Sequence, residues 1–279
     1  VYVMKDDTAK SIEDAKDYTF GILTNIEREN TDKTLASVKD KVGKEVAKKE
    51  YESWPEMIEA LYNGDIGAVI LKSAFIDTIV ETEGFVTFAD DTRVLYENSI
   101  VTQIKTDTDK DLTNNVFTMY ISGIDVYGPI STTSRSDVNI IAVINPDTRQ
   151  VLLVNTPRDY YVPLAMNGSP LDKLTHAGIY GIDMSMNTLG NLYGIDMDHY
   201  FRINFSGFTD VIDALGGIEV NSEYAFTTLH GNYYIKKGLN YLNGDQALGF
   251  ARERYSLPGG DNQRGKDQMA VITAIINKM

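Results

Sequence analysis

Nine arginines occur in this 279-residue chain, and seven of them lie beyond residue 111: Arg135, Arg149, Arg158, Arg202, Arg252, Arg254 and Arg264. A guanidinium is a planar fork of donors that meets phosphate oxygens two at a time, whereas an ammonium is a solvated point charge. The arginine-rich part therefore reads as a candidate anion site, and the lysine-rich part before it as solvated surface. Arg149 is set aside, because the turn Asp147-Thr148-Arg149-Gln150 places it at the surface. Arg135 and Asp137 are two apart in an extended segment and project to the same side. Arg252 and Arg254 share a face if their segment is extended and diverge if it is helical. Two guanidiniums on one face repel each other unless an anion lies between them. The competing reading pairs each with a surface acid such as Glu253 or Asp261, and the residues alone leave both open. Arg264 and Gln268 are four apart and share a helix face, with Arg264 in the first turn, where free backbone N–H groups attract anions.

Strands and turns must bring these groups together. Val116–Ile121 reads as a strand running into Ser122-Gly123-Ile124-Asp125. Val138–Ile144 is a second strand, stopped by Asn145-Pro146-Asp147, and Val151–Val154 a third, running into Asn155-Thr156-Pro157-Arg158-Asp159. The last two form a hairpin, which puts Asp137 at the start of one strand near Arg158 at the end of the other. Asp125 ends its own strand and can reach the same sheet edge. Ser206 is the expected cap of a helix through Leu215 that ends at Gly216-Gly217, followed by the strand Ile218–Val220. Asn243 caps a short helix through Gly249, and an apolar helix closes the chain.

The first part reads as a small α/β unit. Tyr18–Leu23 is strand-like, and Thr31 to Lys49 carries Leu35, Val38, Val42 and Val46 at helical spacing. Ser53-Trp54-Pro55-Glu56 is a capping box opening a helix that ends at Asn63-Gly64, and Ala68–Leu71 is a buried strand. Strand, helix, helix, strand predicts a parallel sheet covered by helices. Trp54 reads as a packing residue, and the stretch from Lys105 to Asp111 as a linker.

Composition bounds the function. The net charge of −14 argues against nucleic acid or anionic lipid as long-range partners, so any anion must be caught by a local positive pocket. There is no cysteine, which excludes disulfides, thiolate nucleophiles and cysteine metal sites. His176, His199 and His230 are scattered singly and do not read as zinc ligands. No apolar run approaches the ~20 residues of a membrane span. The opening Val1–Asp6 is not a signal peptide, so any membrane anchor is expected upstream of this sequence.

The motifs Gly123-Ile124-Asp125, Arg135-Ser136-Asp137, Asn145-Pro146, Thr156-Pro157-Arg158-Asp159, Lys173-Leu174-Thr175-His176-Ala177, Asn204–Phe208 with Gly216-Gly217, Leu242-Asn243-Gly244, Ala251-Arg252-Glu253-Arg254 and Arg264 with Gln268 follow one another as in the LytR-CpsA-Psr domain. The resemblance covers residues 111–279. It implies an α/β fold with a central mixed β-sheet flanked by helices. Residues 1–110 then form a smaller α/β accessory domain and linker, similar to those of the streptococcal, capsule-associated branch. The resemblance further implies an extracellular phosphotransferase on the outer face of the cytoplasmic membrane of a Gram-positive bacterium, behind an N-terminal transmembrane helix. Such an enzyme moves a capsular polysaccharide or teichoic acid from undecaprenyl pyrophosphate to peptidoglycan, forming a phosphodiester. By motif, Asp125 and Asp137 correspond to Mg²⁺ ligands, with Mn²⁺ as a substitute. Arg135, Arg158, Lys173, Arg252, Arg254, Arg264 and Gln268 correspond to pyrophosphate-binding residues. Asp125, Arg158 and Arg252 are the expected catalytic residues, with Asp125 also a candidate base toward the acceptor hydroxyl. Helices over 207–215 and 268–278 are candidate walls of a lipid tunnel, with a plain apolar core as the other reading. Two further functions compete: a lipid-pyrophosphate hydrolase using water as acceptor, and a non-enzymatic polyprenyl-phosphate-binding regulator of capsule assembly. For an enzyme of this kind, Arg158→Ala or Arg252→Ala is expected to cost roughly 2–4 kcal/mol of transition-state stabilisation with the fold intact.

Overall fold

The structure is a computed structural model that describes residues 1–24, 26–100, 115–127, 130, 133–166 and 169–279. Its contacts divide the chain into two units, Val1–Gln103 and Ile104–Met279. The stretch read as a linker lies outside the described residues. No helix among the described residues is long and apolar enough to cross a membrane.

The first unit runs β1 (Tyr2–Met4), β2 (Thr19–Leu23), α1 (Arg28–Val42), β3 (Ala47–Tyr51), α2 (Trp54–Tyr62), β4 (Ala68–Val69), α3 (Ile76–Val80), α4 (Phe88–Asp91) and β5 (Thr92–Val94). The helix expected to reach Lys49 stops at Val42. Gly43, at φ 76°, caps it in the left-handed region that glycine adopts freely, donating its N–H to the Lys39 carbonyl at 2.8 Å. Val46 still packs on the core, but as the lead-in to a strand, β3, that lies parallel to β2. The sheet order is β3-β2-β4-β1-β5. Its parallel part is the predicted one. β1 pairs antiparallel with both β4 and β5, so the sheet is mixed. These added strands are three residues long, too short for periodicity to flag. The Ser53 hydroxyl accepts the Glu56 N–H at 3.5 Å, which is one half of the expected capping box. Trp54 packs edge-on to Phe85 at 5.3 Å, as a core residue does.

The second unit runs β6 (Phe117–Ile124), β7 (Ser136–Asn145), β8 (Gln150–Asn155), β9 (Tyr161–Pro163), β10 (Leu171–Lys173), α5 (Leu174–Ala177), α6 (Ile182–Tyr193), β11 (His199–Ile203), α7 (Phe205–Ala214), β12 (Ile218–Ser222), β13 (Phe226–Thr227), β14 (Tyr234–Ile235), β15 (Gly238–Leu242), α8 (Gly244–Arg252) and α9 (Asp261–Lys278). The central sheet has the order β11-β6-β7-β8. β11 is parallel to β6, while β6–β7 and β7–β8 are antiparallel. Strand alternation sends Tyr120 into a core with Leu174, Met186 and Leu189 of α5 and α6. The alternate residues Ile121 and Gly123 face α7, α8 and α9. Helices thus cover both sheet faces, giving a mixed α/β domain. Asn204, not Ser206, caps α7, accepting the Gly207 N–H at 2.9 Å. The cap must be extended and precede the first helical turn, and Ser206 is already inside it. Asn243 and Gln246 form a reciprocal capping box at the start of α8.

Candidate functional site

The sheet collects the candidate residues by its topology. β6 and β11 end at the same edge where β7 begins, with Ile203 opposite Gly123 and Ile124 opposite Ser136. A bulge between Gly123 and Ile124 interrupts the alternation just before Asp125. β8 runs back toward this edge and delivers the chain to Arg158. Asp137 and Arg158, one hairpin apart in sequence, form an ion pair through Asp137 Oδ2 and Arg158 Nη1, with each side chain about 15% exposed.

Sequence reasoning passed over the residue that fixes this pair. The Thr175 hydroxyl donates to Asp137 Oδ1 at 3.1 Å, and the Thr175 N–H donates to the Arg158 carbonyl at 2.9 Å. Thr175 is fully buried at the start of α5 and holds both partners. Gly178 lets α5 approach so closely. A Cβ there would lie 2.6 Å from the Ser136 N and 2.7 Å from the Ser134 carbonyl oxygen, against the backbone that leads into Asp137. Thr175 lies within a motif noted in the sequence, but its hydrogen bonds depend on packing that spacing does not reveal.

Three helix segments complete the site. α8 ends at Arg252, and Glu253 then turns to extended backbone. Arg252 and Arg254 therefore straddle a helix end, which is neither of the two regular geometries considered. The Arg252 guanidinium lies over the Phe205 ring, 4.1 Å from its centroid, with Nη2 3.6 Å from Asp125 Oδ1. Arg254 donates to the Tyr255 hydroxyl at 2.6 Å and covers its ring. Asp261 pairs with Arg264, one turn along α9. Gln268 Nε2 donates to the Ala251 carbonyl at 3.2 Å and ties α9 to the last turn of α8. Glu253, considered as a surface partner for these arginines, is buried and accepts backbone N–H groups instead.

Burial disfavours the Arg264 guanidinium and pulls its pKa below the usual arginine value; the charges of Asp261 and Asp137 oppose that, while those of Arg158 and Arg254 add to it. The buried Arg158 Nε makes no hydrogen bond.

These groups border a cavity of about 490 Å³ between the sheet and α7–α9. Of the nine residues singled out in the sequence, seven line it: Asp125, Asp137, Arg158, Arg252, Arg254, Arg264 and Gln268. The cavity then continues over apolar side chains: Ile121 and Phe201 from the sheet, Phe208 from α7, Leu248 from α8, and Val271, Ile272, Ile275 and Ile276 from α9. Charge gathers beside the strand ends and the start of α9, and hydrocarbon lines the rest. A ligand with an anionic head and an apolar tail fits that division. The helices around 207–215 and 268–278 therefore border an open cavity as well as a core.

Two expected residues do not line the cavity. Lys173 lies at the end of β10 with Nζ 3.2 Å from Asp159 Oδ1, and the same Asp159 oxygen lies 3.9 Å from Arg158 Nε. Arg135 is half-buried just before β7. His230, read in the sequence only as a lone histidine, and Leu229 both line the cavity. His176 bonds to Asp172 at 2.8 Å, and His199 packs edge-on to Phe117.

For a metal, the available protein ligands are the two carboxylates. Among the described residues no group of three or more His, Asp or Glu side chains is placed to hold a metal ion. Asp137 Oδ1 accepts from Thr175 and Oδ2 pairs with Arg158, while Asp125 Oδ1 lies 3.6 Å from Arg252, so Mg²⁺, which keeps waters and commonly uses one or two carboxylates plus substrate phosphates, would share these carboxylates with the arginines.

A model of the LytR_cpsA_psr family matches residues 84–279, more than half of the chain and beginning within the first unit. The chain is 36% identical over 157 residues to the polyisoprenyl-teichoic acid–peptidoglycan teichoic acid transferase TagU of Bacillus cereus, covering 56% of this chain and 50% of that protein. It is 38% identical over 146 residues to the TagU of Enterococcus faecalis, covering 52% and 47%. The chain thus spans about half the length of these relatives. Among solved structures it is similar to TagV of B. subtilis, with a TM-score of 0.55 at 31% identity over 60% of this chain and 66% of that one. It is also similar to the LytR-CPS2A-psr family protein YwtF (TagT) with bound octaprenyl pyrophosphate lipid, with a TM-score of 0.51 at 30% identity over 62% and 68%.

Proposed function

The chain belongs to the LytR-CpsA-Psr family, and we propose that its second unit transfers a glycopolymer, a teichoic acid or capsular polysaccharide, from a polyprenyl pyrophosphate carrier to peptidoglycan. One observation carries the reading: a single cavity joins a cluster of four arginines and two aspartates to an apolar channel. The names of the relatives and the lipid bound by the TagT structure point the same way. The polyprenyl tail lies along Ile121, Phe208, Val271 and Ile275, and the pyrophosphate meets Arg158, Arg252, Arg254 and Arg264.

The chemistry follows from that placement. An acceptor hydroxyl attacks the phosphorus that bears the saccharide. The bond from that phosphorus to the bridging oxygen breaks, polyprenyl phosphate leaves, and a phosphodiester forms. Asp125, half-exposed at the charged end, takes the hydroxyl proton. Arg158 and Arg252 hold the oxygens on which charge builds, which is the main contribution a protein makes to phosphoryl transfer. Asp125 and Asp137 would hold Mg²⁺ or Mn²⁺, which when bound adds positive charge beside the pyrophosphate. Arg135 and Lys173 are proposed to contribute longer-range positive charge. The site works on the outer face of a Gram-positive cytoplasmic membrane, where both the lipid carrier and peptidoglycan are met.

The test supplies a radiolabelled lipid-pyrophosphate-linked saccharide with Mg²⁺, with and without peptidoglycan. Label covalently attached to peptidoglycan, together with released polyprenyl phosphate, is the expected result. Release at the same rate without acceptor would instead indicate a hydrolase. Saturable lipid binding without turnover would indicate a binding regulator.

A further inference from the structure

Glu253 is an acid set between two arginines of an anion site, and among the described residues its carboxylate forms no ion pair with either guanidinium. The residue is 3% exposed. Oε2 accepts the Leu229 N–H at 2.6 Å. Oε1 accepts three further N–H groups, from Arg254 at 3.0 Å, Tyr255 at 2.9 Å and Ser256 at 3.1 Å. One carboxylate therefore caps the turn after α8 and fastens it to a segment 24 residues upstream.

The residues so fastened matter to the cavity. Leu229, Arg254 and Tyr255 all line it, and Leu229 and Tyr255 are largely exposed at its border. The upstream segment is already braced internally: the Thr228 hydroxyl donates to the His230 carbonyl at 2.7 Å and accepts the Tyr233 N–H at 2.9 Å. It also sits tightly on α8, since a Cβ at Gly249 would come within 2.8 Å of the His230 carbonyl oxygen. Burial alone would push the Glu253 carboxyl pKa up, but the Leu229, Ser256 and Arg254 N–H groups outweigh it and hold the value below the ordinary range. The carboxylate stays ionised, with its acceptor capacity occupied by backbone.

We propose that Glu253 is a positioning residue for anion binding: its backbone clamp holds Arg252 and Arg254 on either side of the helix end and sets the Leu229–Tyr255 border of the cavity. The inference rests on the anionic-headgroup reading of the cavity. It makes a prediction of sign that separates geometry from charge. A carboxylate near an anion site repels the ligand, so removing its charge alone would tighten binding. Removing the clamp weakens binding, because an amide in the same place presents an N–H₂ to backbone donors that need acceptors.

The experiment titrates the intact chain and its Glu253→Gln and Glu253→Asp variants with geranylgeranyl pyrophosphate in detergent micelles, beside thermal melts and amide hydrogen exchange. Glu253→Gln is expected to bind about tenfold more weakly, the scale of one lost hydrogen bond to a charged group. Exchange at Leu229 and Tyr255 is expected to speed up in the same variant. Glu253→Asp keeps the charge but shortens the reach to Leu229, and is expected to fall between parent and Gln variant in both readouts. Equal or tighter binding by a folded Glu253→Gln variant, or parent-like exchange at Leu229, would overturn the proposal. So would full rescue by Glu253→Asp with its Leu229 amide unprotected, since charge rather than the clamp would then be the cause. If the parent itself fails to bind the lipid, the functional reading falls, while the exchange data still judge the clamp.

Discussion

Alanine at Arg252 and alanine at Arg158 should have different consequences, although both arginines face the same cavity. Arg252 stacks on Phe205 at 4.1 Å, worth about 0.5–1 kcal/mol near a surface. Its approach to Asp125 at 3.6 Å joins side chains that are 35% and 40% exposed, so screening leaves at most about 0.5 kcal/mol. Arg252→Ala should therefore cost about 1 kcal/mol of stability, a fall in Tm of roughly 2–4 °C. Losing a guanidinium aimed at developing phosphate charge should cost about 2–4 kcal/mol in the transition state, or roughly 30- to 1000-fold in rate. Arg158 differs because its partner is enclosed. Arg158→Ala leaves the Asp137 carboxylate, 15% exposed, with the Thr175 hydroxyl as its hydrogen-bond donor. Stranding a buried charge costs about 3–5 kcal/mol, and the open cavity argues for the lower end. This amends the expectation that both variants keep the fold unharmed. The assay is label transfer to peptidoglycan, run beside thermal melts of the same preparations. Arg252→Ala activity within about twofold of the parent, or a loss of stability as large as that of Arg158→Ala, would refute these roles.

Two further predictions concern stability. Asp267 is 4% exposed on α9, accepts from Gln263 at 3.0 Å, and has an Oδ2 without a hydrogen-bond partner. Burial raises its pKa from 3.8 to about 6. A carboxyl with a raised folded pKa contributes stability that is present below pH 4 and is lost as pH rises to about 6. Asp267→Asn should remove this dependence and stabilise the protein at pH 8 by on the order of 2 kcal/mol, read from denaturant melts across pH; an unchanged pH profile would refute it. Gly178→Ala places a methyl against the backbone at Ser134 and Ser136 and should cost roughly 1–3 kcal/mol by overpacking. It should also lower lipid-pyrophosphate affinity by shifting Asp137, and a silent substitution would count against the close approach of α5.

The local elements were legible wherever a residue type carries its own geometry. The hairpin of β7 and β8 followed from apolar runs around Asn145-Pro146-Asp147, and with it the meeting of Asp137 and Arg158. The α8 box of Asn243 and Gln246 is a purely local hydrogen-bond pattern. Local pattern misleads where apolar spacing outruns a breaker, as at Gly43, and where the strands are too short to show a period, as in β1 and β5. For the site, the residue types named the chemistry, because arginine forks and aspartates suit phosphate whatever fold holds them. Tertiary structure alone decided three things: that α7, α8 and α9 stand off from the sheet and enclose a cavity, that Thr175 and Glu253 turn their polar atoms onto the site's backbone and carboxylate, and that the Arg252 guanidinium lies over the Phe205 ring. Each depends on groups tens of residues apart being brought within a few ångströms by packing, and side-chain spacing along one strand or helix carries no information about such distances.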